Sequence, residues 1–273
     1  MFRSSAVVPL VAALVLAALG LAVTAASRAR GHSAGRAASA APLAPRSAIG
    51  TVPSRPGRLR SLGPAPRARP KPESPEVLRV RSGQTVKLRA KPGGRVLATV
   101  GARTEFGSPT ALSVAARRGH WVGAPHPALP NGRLGWLDER SHAASRFHSR
   151  VQLVVRLSRR RLELRQGGRV KRRVPVAIGR PGSTTPRGRF SVTDKLSGGR
   201  YGPYYGCCIL ALSGHQPHPP PGWQGGSRLA IHGTNAPGTI GTPSSAGCLR
   251  AADGDLRMLM RRVPLGTPVL IRS

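Results

Sequence analysis

IHGTNAPGTIGTPSSAGCLR, residues 231–250, is the stretch on which the fold and the chemistry both turn. Leu229-Ala230-Ile231 leads into it as a short apolar strand that ends on His232. Gly, Thr, Asn and Pro then make a turn-rich connection with no helical periodicity. Cys248 lies in Ser244-Ser245-Ala246-Gly247-Cys248-Leu249-Arg250, where small neighbours let a thiol and its backbone meet a substrate carbonyl. A free thiol is mostly protonated near neutral pH and needs a base to attack. His232 lies sixteen residues upstream, and two strand ends can bring such groups within hydrogen-bond reach.

Outward from this stretch the pattern is that of a sheet. Val151, Leu153, Val155 and Leu157 alternate with polar residues, and Leu162 and Leu164 continue the alternation. Gly167-Gly168 predicts a turn, with Val174, Val176 and Ile178 on the return strand. Phe190-Ser191-Val192 and Pro268 to Ile271 read as further strands. Asp253 to Arg262 predicts one short helix, with acidic residues at its start, Arg261 and Arg262 at its end, and Pro264 after it. The fold class expected for 150–273 is therefore mainly β: a sheet or sandwich with one short helix.

The segment 231–250, with Asp255 and RVPLGTPVLI after it and PVAIGRPGSTTPRGRF before it, resembles the L,D-transpeptidase (YkuD-like) catalytic family. The resemblance covers about residues 150–273. It implies a cysteine acyl transfer on peptidoglycan stem peptides, with no metal and no organic cofactor. Cys248 would be the nucleophile and His232 the base and later the acid, with the Gly233 carbonyl orienting the imidazole. Arg250 would steady the loop or bind the substrate carboxylate, a purely structural arginine being the other reading, and Asn235 would contact substrate. The family carries His immediately before Gly-Cys, whereas this chain has Ala246. Backbone N–H groups can stabilise an oxyanion without that imidazole, and Ala246 and Gly247 are the expected donors beside Cys248 itself. A second reading stays open: a non-catalytic peptidoglycan-binding envelope protein whose cysteine site has decayed.

The remaining chain divides by composition. Residues 1–26 combine Arg3 with an uncharged, mostly apolar run from Ala6 to Ala26, closed by small residues. That is an export signal, cleaved or kept as a membrane anchor. Residues 27–74 repeat Pro, Ala, Gly, Ser and Arg without apolar periodicity and read as a disordered linker. In 75–143, Leu78 and Val80, then Val86 and Leu88, alternate between close turns, which predicts a small β module. Its RSGQTVKLRAKPGG and GRLGWLDE segments resemble bacterial SH3-like wall-targeting modules.

The formal net charge is +35 over 273 residues, and Lys supplies only five of the 44 basic side chains. Such a charge suits a polyanion such as an anionic wall polymer, but Arg is spread along the whole chain as a compositional bias. No aromatic residues interleave with the Arg as in nucleic-acid binders, and an export signal conflicts with that partner. The nine acidic residues form no local acid/base pair of the kind a glycosidase needs. Cys207 and Cys208, adjacent in YYGCCILAL, read as buried small hydrophobes. His215 and His218 belong to a Pro-rich segment expected to act as a lid or to face substrate. Tyr201, Tyr204 and Tyr205 are expected mainly to pack.

Overall fold

The computed structural model describes residues 74–273, which lie in one compact unit, Pro66–Ser273. The expected leader and nearly all of the linker fall outside the described residues. No helix among the described residues is long and apolar enough to cross a membrane.

Residues 76–148 form a small β module. Its strands are β1 (Glu76–Val80), β2 (Thr85–Arg89), β3 (Val96–Gly101), β4 (Ala111–Ser113), β5 (Ala116–Arg118), β6 (Trp121–Ala124), β7 (Gly135–Asp138) and β8 (Ala144–His148). They divide into a three-stranded sheet, β4-β1-β8, and a five-stranded sheet, β3-β2-β7-β6-β5. In β2 the alternation is clean: Val86 and Leu88 are buried while Thr85 and Lys87 face solvent. These side chains join Leu78, Val80, Leu112, Val122 and Leu137 in one core. β8 pairs with β1 along its whole length, Glu76 opposite His148, so the module continues past residue 143. Its sequence, ASRFH, carries almost no apolar signal. The SH3-like reading of this module rests on the sequence resemblance alone.

Residues 151–272 are built on an eight-stranded sheet. β9 (Val151–Arg156), β10 (Arg161–Gln166) and β11 (Arg169–Pro175) form an antiparallel meander turning at Gly167-Gly168, both at positive φ. β13 (Gly188–Ser197), β14 (Cys208–His215), β15 (Arg228–His232), β17 (Leu249–Arg250) and β18 (Pro268–Arg272) complete the order β11-β10-β9-β18-β13-β14-β15-β17. The contacts β9·β18 and β15·β17 are parallel. The expected return strand does not run unbroken to Ile178. It stops at Pro175, which cannot donate to a ladder; Ala177 then bridges Arg250, and β12 (Ile178–Gly179) pairs with β16 (Pro243–Ser245). This change of partner carries the chain from the meander to the Cys248 turn.

The helix α1 (Asp253–Arg262) has the predicted bounds, with Asp253 and Asp255 in its first turn and Arg261 and Arg262 in its last. Leu256, Met258 and Leu259 are buried and belong to the core formed by Leu153, Leu162, Val192, Leu210, Leu212 and Ile231. Cys207 and Cys208, whose state the sequence leaves open, are bonded to each other at the head of β14. Both remain half-buried and pack against that core. Cys248 is left as the free thiol.

The small module touches the larger one where β14 leads into the segment 216–227. The Thr104 hydroxyl donates to the fully buried carboxylate of Asp194 on β13. Glu105 pairs with Arg228, whose guanidinium also lies over the Phe106 ring. The Asn131 side chain both donates to the His215 carbonyl (2.7 Å) and accepts from its N–H (2.9 Å). The His215 ring is used at both nitrogens, 2.6 Å from the Pro127 carbonyl and 3.0 Å from Ser227 Oγ. His215 thus fixes the base of the 216–227 segment and has no ring nitrogen left over.

Candidate active site

The parallel pairing of β15 with β17 sets Ile231 opposite Leu249 and His232 opposite Arg250. Side chains alternate along a strand, so His232, Arg250 and the position of Cys248, just before β17, fall on one face. The imidazole of His232 is fully buried. Its Nδ1 lies 2.6 Å from the Gly233 carbonyl, which can only accept; Nδ1 therefore carries the proton and Nε2 the lone pair. Nε2 is buried without a hydrogen-bond partner. The rings of Tyr204 and Tyr205 flank the imidazole at 5.5 and 4.9 Å between centroids.

Gly233 owes its residue type to crowding. A Cβ there would lie 2.1 Å from Asp253 Oδ1 and 2.9 Å from the Cys207 nitrogen. The Asp253 carboxylate fills that space and accepts from Cys207 N–H (3.0 Å) and Thr234 N–H (3.4 Å). The first residue of α1 thus ties the head of β14 to the turn that follows His232. Sequence reading took Asp253 only as a helix-start acid; its position directly after the Cys248 turn was the available clue.

Cys248 is half-buried, and its thiol donates toward the Arg228 carbonyl at 3.8 Å. Burial pushes the thiol up to about 11, against the Ala230 backbone amide and the charge of Arg250, which both favour thiolate. Burial likewise pushes His232 down to about 4; the Gly233 carbonyl opposes this and Arg250 adds to it. The resting groups are therefore a neutral thiol, turned toward the Arg228 carbonyl, and a neutral imidazole whose Nε2 keeps a free lone pair.

The turn before Cys248 is held by a set of internal bonds. Ser245 Oγ donates to the Cys248 carbonyl (2.6 Å) and accepts from Gly247 N–H (3.0 Å). Thr185 Oγ1 donates to the Gly247 carbonyl (2.8 Å) and accepts from Gly179 N–H (2.8 Å). Of the two expected oxyanion donors, the Gly247 amide is thus engaged within its own turn. Because C=O and N–H point opposite ways across a trans peptide, fixing the Gly247 carbonyl also fixes the direction of the Cys248 N–H.

The other expected site residues divide. Arg250 is buried, donates to Ser244 Oγ at 2.7 Å, and lies over the Tyr204 ring at 5.8 Å. It braces the turn from below. Asn235 is exposed on the loop after β15 and does not line the cavity at Cys248. Tyr204 and Tyr205 do line it, so they wall the site as well as pack, while Tyr201 is exposed. Trp223, Gln216 and Arg228 close the cavity from the 216–228 side. Its volume is about 20 Å³, room for roughly one water. Gln216 and Arg228 were not singled out in the sequence, because nothing local marks a side chain whose defining partners are distant: Ser183 and Ala246 for Gln216, Glu105 and Thr193 for Arg228.

Residues 150–271 match the family model for the L,D-transpeptidase catalytic domain, YkuD. The YkuD protein of Bacillus licheniformis, assigned as an L,D-transpeptidase, is 34% identical over 122 residues, which are 44% of this chain and 64% of that one. Its Bacillus subtilis counterpart is 32% identical over 121 residues, again 44% and 64% of the two chains. The match thus spans less than two thirds of these relatives. A solved L,D-transpeptidase from Mycobacterium smegmatis superposes with TM-score 0.39 at 17% identity, over 58% of this chain and 80% of that one. By the family match and these relatives, the segment 150–271 belongs to the L,D-transpeptidase catalytic domain family.

Proposed function

We propose that the chain is a cell-wall L,D-transpeptidase acting outside the cytoplasmic membrane. Cys248 attacks the carbonyl joining the third residue of a peptidoglycan tetrapeptide stem to its terminal D-Ala. His232 Nε2 takes the thiol proton as the C–S bond forms, then delivers it to the departing D-Ala nitrogen as the C–N bond breaks. A thioester remains. An amine from a second stem, or from a protein, attacks that thioester, gives its proton to His232, and releases the thiolate, which recovers the proton. No electron acceptor or cofactor enters this balance.

The observation that supports the reading best is the buried, unpartnered Nε2 of His232 on the same strand face as the free thiol. The Cys248 amide, with its direction fixed through Gly247 and Thr185, is the donor aimed at the developing oxyanion, with Ala246 beside it. Arg250 positions the turn. A cavity with room for about one water does not admit a stem peptide, so segment 216–227 moves before the donor enters.

The test is mass analysis of the full chain after incubation with a disaccharide-tetrapeptide. A covalent adduct equal to the stem less D-Ala, absent in Cys248→Ala, is expected. Failure of the wild-type protein to form an adduct with this donor or with a carbapenem-type acylating agent would remove the proposal.

A further inference from the structure

We propose that Gln216 is the positioning residue of the Cys248 turn, supplying from the covering segment the bracing that Ala246 cannot. The inference rests on the transpeptidase reading above. Gln216 is buried, with 6% of its surface exposed. Its amide nitrogen lies 2.9 Å from the Ser183 carbonyl, 3.2 Å from the Thr184 carbonyl and 2.9 Å from the Ala246 carbonyl. Two N–H bonds thus serve three carbonyls on two separate pieces of chain. One is the turn that presents Thr185; the other is the turn that presents Cys248.

The fit is close on every side. A Cβ on Gly247 would lie 2.0 Å from the Gln216 amide nitrogen, and Gly247 has φ +118°. Only glycine leaves room for the amide there. The rest of Gln216 is tied to its own segment: its backbone N–H donates to Ser227 O (2.7 Å), and its Oε1 accepts from His218 N–H (3.4 Å). Gln216 therefore joins three parts of the site: the segment over the thiol, the Thr185 turn and the Cys248 turn.

The consequence for the chemistry follows from peptide planarity. The Ala246–Gly247 peptide is held at its carbonyl by Gln216 and at its N–H by Ser245 Oγ. The next peptide is held at the Gly247 carbonyl by Thr185, whose own neighbours Ser183 and Thr184 bond to Gln216. Both peptide planes preceding Cys248 are thereby set, and with them the Cys248 N–H. Removing the amide frees the Ala246 carbonyl and uncouples the two turns. A displacement of order 1 Å at a reacting centre costs up to about 100-fold in rate.

Two variants and two reactions test this on the full chain. The reactions are acylation of Cys248 by a carbapenem-type agent and alkylation by iodoacetamide, each located by peptide mass. Gln216→Ala is expected to acylate roughly 10- to 100-fold more slowly, because the turn is misaligned. It is expected to alkylate faster, because the covering segment is released. Gln216→Glu keeps the shape but presents a carboxylate to three carbonyl oxygens. Its acylation rate, taken as a ratio to wild type, is expected to be low at neutral pH and to recover on acidification, when the acid regains one O–H donor. Tyr204, Tyr205, Arg228 and Cys248 line the same cavity in both proteins, and His215 and His218 flank the position in sequence, so their own titration is common to both and divides out of that ratio. A packing role alone would give Glu no such recovery. Acylation of Gln216→Ala within about twofold of wild type, or a Glu ratio flat with pH, overturns the proposal. If wild type is not acylated at all, the transpeptidase reading falls separately. Alkylation then decides: acceleration in Gln216→Ala supports the brace, and an unchanged rate overturns it.

Discussion

The protonation state of the resting pair can be tested by the rate at which Cys248 is alkylated as pH is varied. A thiol of ordinary acidity near 9, moved to about 11, carries about a hundredfold less thiolate at any pH well below 9. His232, held near 4, stays neutral throughout that range and offers no imidazolium to stabilise the sulfur anion. Iodoacetamide should therefore modify the free protein about a hundredfold more slowly than an unburied cysteine at pH 7. The logarithm of the rate should climb by about one per pH unit up to pH 10 or so, with no plateau. The assay is stopped alkylation from pH 5 to 10, with Cys248 followed by peptide mass and Cys207–Cys208 kept oxidised. In His232→Ala the slope should persist, because the imidazole is not what sets the thiolate fraction before substrate binds. A wild-type rate that levels off with a midpoint below pH 7, and loses that plateau in His232→Ala, would refute the neutral pair in favour of a thiolate–imidazolium ion pair.

Further expectations can be checked by simpler measurements. Two histidines are held near 4 by burial, His126 and His232, against an ordinary 6.5. Between those values the unfolded chain binds more protons than the folded one, so stability should fall as pH drops from 6.5 to 4, by up to about 3 kcal/mol per group. Denaturant unfolding across that window should show the loss, and His126→Gln should remove about half of it. Thr104→Val takes away the hydroxyl that donates to the buried Asp194 carboxylate and should cost about 1–3 kcal/mol in the same assay. Asp253→Ala leaves the Cys207 and Thr234 amides without their acceptor and strips a carboxylate from the start of α1. It should lower the melting temperature and slow acylation of Cys248, whereas Asp255→Ala, in the same helical turn, should affect only the melt.

The sheet and the helix were legible in the sequence because their signals are local. Leu153, Val155, Leu162 and Leu164 alternate, and the acids and arginines of 253–262 mark both helix ends. Cys248 and His232 were singled out for a different reason: their spacing alone says little, and the resemblance of residues 231–250 to a family motif raised them to candidates, which the structure sets on one strand face. What surrounds them was not legible. β8 has no apolar period, and the break at Pro175 depends on partners near residues 243–250. Gln216 is an ordinary polar residue in a Pro-rich stretch until three carbonyls from elsewhere converge on it. Arg228 reads as one arginine among 39, yet its carbonyl faces the thiol and its guanidinium reaches Glu105 and Thr193. Asn235, three residues after His232, lies exposed on the loop that follows β15.

The covered, neutral thiol also bears on how Cys248 resists oxidation. Oxidation of cysteine to sulfenic acid, and its exchange with disulfides, both proceed through the thiolate and require access. Keeping the proton on sulfur and the cavity to about one water suppresses both reactions. On the transpeptidase reading proposed above, the site protects its nucleophile chemically until a donor opens the covering segment, and slow intrinsic reactivity becomes the means by which an exported thiol endures.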